Sequence, residues 1–202
     1  YRENWWTFAE ARPALRKALS GLNRYIGTTE TATHRVFSFI DATFLPDQKI
    51  RVVASDSLAL LAVLTSRVHV AWALVAGSRL GVGNDPVYNN ARCFEQFPFP
   101  DMALISEGGA PDFARRIVSH RASQQAQHGG LTVTGIYNVL EKLRRNEVLG
   151  SKDKLIHEQG LVSVLRELHD ELDRAVFVFL SLSLYYSIPD RSPISFAEKI
   201  AK

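Results

Sequence analysis

The sequence predicts an α+β protein: a mixed small sheet with buried helices over residues 1–105, followed by an all-α helical domain over 111–202. Three observations carry this. Short β-forming runs cluster before residue 55. An almost wholly apolar stretch, Leu58 to Ala76, follows them and has the character of helix buried within a larger fold. After Pro111 the apolar residues recur at three- and four-residue steps, the spacing of one helix face.

Taken in order, AEARPALRKALS (9–20) favours a helix, with Pro13 tolerable in its first turn and Gly21 as its stop. Asn23–Thr28 and His34–Ile40 (HRVFSFI) are rich in β-branched and aromatic residues and predict strands around the turn-like TTETAT. Leu45-Pro46-Asp47-Gln48 predicts a turn and Ile50–Ala54 a third strand. Ser55 or Asp56 is expected to cap the helix that follows, because either side chain can accept from the free N–H groups of a first turn. That helix is one piece or two, with a break near Ser66, and ends at Gly77. Residues 77–93 (GSRLGVGNDPVYNNARC) predict a loop, and the X-Pro pairs of Phe94–Pro100 predict extended chain.

Glu107-Gly108-Gly109-Ala110 marks the expected domain boundary. Beyond it, helices are predicted from Pro111 to the Gly129-Gly130 break, from a Thr132 or Thr134 cap to about Arg145, and from Leu155 to about Phe179. In the last, Leu161, Val164, Leu165, Leu168, Leu172, Ala175 and Val176 form one apolar stripe. Glu167, Asp170, Glu171 and Arg174 fill a solvated face.

Composition narrows the function classes. The chain has 202 residues, 46% hydrophobic and 22% charged, as ordinary globular proteins do. Its one cysteine, Cys93, cannot form an internal disulfide and fits a reducing, cytoplasmic compartment; it is expected to be a small core residue. The first residue is Tyr1 and no basic-then-apolar leader follows it, so a piece of a longer protein without a secretory signal is expected. The apolar run 175–188 is shorter than the ~20 residues a membrane span needs. It predicts a buried segment or a surface for a partner. The net charge of +3 lies wholly in the first half, where a polyanion would be met.

Catalytic patterns are missing. No Gly-rich turn follows a first strand, as methyl transfer from S-adenosylmethionine would need. Asn84-Asp85-Pro86-Val87-Tyr88 lacks the doubled proline of an adenine-N6 loop and follows a helix instead of a strand. Asp47-Gln48-Lys49 lacks the acidic partners of a metal nuclease. The six histidines are not paired at i, i+4, so no zinc site is expected. The segment 77–93 stands out instead. Arg79, Asn84, Tyr88, Asn89, Asn90 and Arg92 crowd guanidinium and amide groups into a short, glycine-containing stretch. Arg can grip guanine and Asn adenine through paired hydrogen bonds. The same residues also simply make turns.

Three strings decide between these readings. They are R-Y-I-x-T…H-R-x-F at Arg24–Phe37, L-x-S-R-V-H-x-x-W-A at Leu64–Ala73 and C-F-x-x-F-P-F-P at Cys93–Pro100. Together they resemble the target-recognition domain of the MmeI-like family, large single-chain DNA adenine methyltransferases, many of which also cut DNA. Leu131–Arg144 (LTVTGIYNVLEKLR) and Leu168–Val176 (LHDELDRAV) extend the likeness to about residue 176. There this chain departs from the family's aromatic, glycine-containing close.

The resemblance implies a recognition domain over 1–105 that binds double-stranded DNA beside the parent enzyme's own methyltransferase domain. It implies S-adenosylmethionine held by that absent domain, no cofactor in this chain and no catalysis by it alone. Family members read bases largely from the segment before C-F-x-x-F-P-F-P, here Arg79–Arg92. Arg12, Arg16, Lys17, Arg24, Arg35 and Arg67 are the candidates for phosphate contacts, which position without specifying. The alternative is a helical protein–protein interaction module with no direct DNA role, using the apolar 175–188 run.

Overall fold

The computed structural model describes residues 12–81 and 85–186. A short helix α1 (Pro13–Leu19) leads into strand β1 (Arg24–Thr29), flanked by β2 (Ser38–Asp41) and β3 (Ile50–Val53) in the order β2-β1-β3. Both pairings are antiparallel, with Ile26 opposite Phe39 on one side and Val53 on the other. The expected mixed sheet is thus purely antiparallel. The eight-residue link 30–37 between the adjacent strands β1 and β2 is too short for the crossover of a dozen or more residues that adjacent parallel strands require.

The predicted strand His34–Ile40 is ladder only from Ser38. Before that, Thr28 donates its hydroxyl to the Val36 carbonyl at 2.8 Å, and Arg35 turns inward. Side chains bind this stretch where the backbone ladder is absent.

The apolar stretch is two helices, α2 (Leu58–Thr65) and α3 (Arg67–Ala76), bent by 62° at Ser66. Ser57, not Ser55 or Asp56, caps α2: its hydroxyl accepts from Leu60 N–H at 3.2 Å. Ser66 serves the chain twice. It ends α2, and its side chain accepts from His69 N–H to start α3. Asp173, from far along the chain, accepts from Arg67 N–H at 2.6 Å and completes that cap. Among the described residues no single helix is long and apolar enough to cross a membrane. Leu61–Leu64 are fully buried, which explains why α2 is apolar all round.

The expected loop 77–93 carries its own structure. Strands β4 (Ser78–Leu80) and β5 (Asp85–Val87) form an antiparallel hairpin, and Asn90–Phe94 is one turn of π-helix. The predicted extended run therefore begins only past Phe97, where the X-Pro restriction acts; Phe97 N–H closes a turn on Phe94 O.

The remaining helices are α4 (Met102–Glu107), α5 (Ala110–Gln127), α6 (Val133–Arg144), α7 (Ser151–Gln159) and α8 (Val162–Tyr186). Thr132 caps α6 as expected, accepting from Gly135 N–H at 3.1 Å. The single helix predicted from Leu155 is two. Gly160 ends α7, and Leu161 takes a left-handed φ of 42° before α8 starts. Leu161 and Val164 consequently leave the stripe and are exposed, whereas Leu165, Leu168, Leu172 and Val176 are buried.

Gly108, in the expected boundary, sits between α4 and α5. A Cβ there would lie 1.9 Å from the Phe179 ring, so any other residue would require that ring, packed from α8 over this turn, to shift. One apolar core runs from Ile26 and Leu61 through Ile117 and Ile136 to Leu172 and Leu180.

Candidate nucleic-acid interface

The hairpin β4–β5 is a small element with a heavily built base. Gly77 turns the chain from α3 into β4; a Cβ would meet Val87 O at 2.5 Å and Ala73 O at 2.6 Å, so the close approach requires glycine. On its other side β5 is pinned to the end of β1, Tyr88 N–H donating to Glu30 O at 2.8 Å and Ala32 N–H to Pro86 O at 3.3 Å. The two-stranded ribbon is thereby joined to the three-stranded sheet.

Arg35 locks that joint. It is 8% exposed, and its guanidinium donates to Thr29 O, to Glu30 O at 3.4 Å and to Pro86 O at 3.1 Å, across the seam between β1 and β5. Burial without a carboxylate lowers its pKa from the ordinary arginine value. Its guanidinium carbon lies 5.2 Å from the centre of the Tyr88 ring.

Tyr88 is 1% exposed and shares a 2.9 Å hydrogen bond with Nε2 of His69 on α3. Burial pushes the Tyr88 phenol pKa up and holds the His69 imidazole down at about 3, Arg35 adding to the latter. Both are neutral near pH 7. Phe37, Tyr88 and Phe97 pack edge-on around one another or His69, the tightest pair being His69–Phe97 at 4.6 Å between ring centres. Aromatic pairs of this geometry add roughly 0.5–1.5 kcal/mol each beyond burial.

The motif residues that carry the sequence resemblance therefore converge here. Arg35 and Phe37, His69 and Trp72, and Cys93, Phe97 and Phe99 form the support beneath the hairpin, not its exposed edge. Cys93 is buried as expected, its thiol donating to Ala73 O at 3.6 Å.

This placement sorts the candidate residues. Arg79 on β4 and Asn90 and Arg92 on the π turn that follows β5 are exposed. Asn84 lies outside the described residues. Tyr88 is corrected from base reader to core: its ring is sealed and its hydroxyl is engaged by His69. Asn89 is exposed, but its Oδ1 accepts from Arg92 N–H at 3.3 Å and caps the π turn. Its role is to shape the segment that carries Arg92.

Among the phosphate candidates, Arg35 is likewise corrected, since the carbonyls above occupy it. Arg67 is half-exposed and commits to carboxylates of α8, pairing with Asp173 and, at 3.2 Å, with Asp170. Arg24 is exposed and lies 3.8 Å over the Phe39 ring. Arg12, Arg16 and Lys17 are exposed on or beside α1.

Sequence reasoning missed the buried polar groups that tie α5, α6 and α8 to the sheet. Arg121 is 4% exposed and donates to Phe37 O at 3.0 Å, Ser38 Oγ at 3.3 Å and Tyr137 OH at 3.1 Å. Tyr137 OH and His169 Nε2 share a further 2.9 Å bond. Each looked like an ordinary surface residue in its helix. Tyr137 and His169 had one signal, presence in the strings that resemble the family; Arg121 lies in none of them. Among the described residues no group of three or more His, Cys, Asp or Glu side chains converges as a metal site.

Residues 25–101 match the family model for the MmeI target recognition domain. Over 90% of its length the chain also superposes on the type IIL restriction-modification enzyme MmeI, solved in complex with DNA, with a TM-score of 0.51 and 18% identity. The match spans 20% of that enzyme, so the chain corresponds to about a fifth of its length. No curated protein matches.

Proposed function

From the premise that residues 25–101 are an MmeI-like target-recognition domain, we propose that this chain is the DNA-recognition module of a restriction-modification enzyme. In this reading residues 1–105 are the recognition domain and 111–202 the helical domain against it. The parent is a cytoplasmic, bacterial, S-adenosylmethionine-dependent adenine-N6 methyltransferase whose catalytic domain lies elsewhere in the protein. That domain holds the methyl donor and flips the base; this chain positions the duplex and reads it.

One observation carries the proposal: a firmly supported hairpin and the π turn after it leave Arg79, Asn90 and Arg92 exposed, inside the matched segment. Precise direct readout requires side chains held by a firm base, and the Arg35–Tyr88–His69 cluster supplies that base. Arg12, Arg16, Lys17 and Arg24 contribute charge to backbone phosphates. The helical-module alternative gains nothing from the match, which ends before α5 begins.

Competition binding with duplexes altered one base pair at a time tests the assignment. In the intact parent enzyme, Arg92→Ala should cost about 1–3 kcal/mol and relax one position of the site. Arg16→Ala should instead weaken all sequences equally and lower the salt slope by about one. An Arg92→Ala enzyme with full affinity and an unchanged site removes Arg92 as a reader.

A further inference from the structure

The register of the β4–β5 hairpin fixes which of its side chains share a face. Ser78 pairs with Val87, Arg79 with Pro86 and Leu80 with Asp85. Directly opposed residues of an antiparallel pair project to the same side, and successive residues alternate. Ser78, Leu80, Asp85 and Val87 therefore form one face, and Arg79 and Pro86 the other. Tyr88 continues the alternation from Pro86, and its ring is sealed in the core. The face with Leu80 and Asp85 is thus turned away from the aromatic support. Exposure agrees. Leu80 is 62% exposed, and Val87 is only half-buried and belongs neither to the core cluster nor to the apolar residues packed against it.

Two groups on this face have no use inside the fold. Leu80 holds an isobutyl group in water near the end of a strand. The Asp85 carboxylate has no hydrogen-bond or ion-pair partner among the described residues. On a surface that meets a polyanion, such a carboxylate is repelled by phosphates. It is favourable there only where a base offers a donor without an acceptor beside it. In the major groove guanine shows two acceptors, adenine sets N7 beside its amino group, and thymine shows O4. Cytosine shows its N4 amino group alone. Next to that group lies the C5 edge, which carries no polar atom and suits a leucine. Opposed residues of a ladder have Cβ atoms about 4.5–5.5 Å apart, close enough for one base to meet both.

We infer that Leu80 and Asp85 form a specificity-determining pair that reads a cytosine in the major groove. Asp85 accepts from the N4 amino group while Leu80 covers the C5 edge. The inference rests on the DNA-recognition reading and adds to it two residues that carry neither a positive charge nor an amide.

The test selects duplexes from a randomised library with the intact parent enzyme. It then measures affinity for the selected duplex and for an unrelated one. The wild type should require cytosine at one position. Asp85→Asn keeps the size of the side chain and turns one acceptor into a donor. That position should change from cytosine to adenine, whose N6 and N7 an amide grips. Affinity for the cytosine duplex should fall about tenfold or more, while affinity for the unrelated duplex holds or rises as a negative charge is lost. Leu80→Ala should weaken the cytosine duplex alone. An unchanged base preference in Asp85→Asn overturns the inference. So does an equal change for both duplexes, which would make Asp85 a surface charge that only repels phosphate. Either result beside a site relaxed by Arg92→Ala strikes the pair and keeps the recognition role. A parent enzyme that selects no site removes both.

Discussion

Between pH 7 and pH 5 the folded chain should lose roughly 4 kcal/mol of stability, about 2 from each of His69 and His169. Both imidazoles are buried, and burial holds each at a pKa of about 3, against an ordinary value of 6.5 in the unfolded chain. The unfolded state therefore binds more protons throughout the window between those values. A lowered histidine pKa contributes stability that is fully present above about pH 6.5 and lost as pH falls. The slope approaches ~1.4 kcal/mol per pH unit for each residue. Asp41 and Asp153, whose pKa values are also lowered, act below their ordinary 3.8 and leave this window clear. Urea unfolding at pH 7, 6 and 5 measures the effect. His169→Asn should be less stable at pH 7 and show about half the slope. A stability flat from pH 7 to 5 would mean that the two imidazoles are not buried neutral groups.

Arg121→Met should cost about 3 kcal/mol, because a charged donor is taken from three hydrogen bonds while the Phe37 carbonyl stays buried. The methionine keeps the apolar stem, so the loss reports the guanidinium and not a cavity. For a chain of this size that is a fall of roughly 6–12 °C in melting temperature. The distribution of the effect matters more than its size. Arg121 lies on α5 but binds the sheet segment Phe37–Ser38 and, through Tyr137, α6 and α8. Amide exchange in β1 and in α6 should therefore accelerate together. Acceleration confined to the helices would mean that the sheet and the bundle are independent, and that Arg121 does not join them.

How much of this was legible in the sequence depends on whether a signal is local. The bend at Ser66 and the stop at Gly77 were, since a serine cap and a glycine terminator act on their own neighbours. The Gly160 break was obscured by the apolar stripe running through it, and three- and four-residue spacing survives a short interruption. Arg35 and Tyr88 were misplaced for a chemical reason. A guanidinium or a phenol serves carbonyls and imidazoles as well as it serves a DNA groove, and only the fold shows which is adjacent. The partners of Arg35 include Pro86, 51 residues away, and those of Arg121 include Phe37, 84 residues away. No periodicity encodes such pairs. The exposure of Arg79, Asn90 and Arg92 was legible because glycine and asparagine mark a surface segment irrespective of its partners.

The base-reading ribbon is the central claim, and hydrogen exchange of the full chain with and without duplex DNA at low salt tests it most directly. The account predicts DNA-dependent protection across residues 78–80 and 85–94, with α7 unchanged. Protection of α7 or the outer face of α8, with 78–94 exchanging as fast as in the free chain, would contradict it.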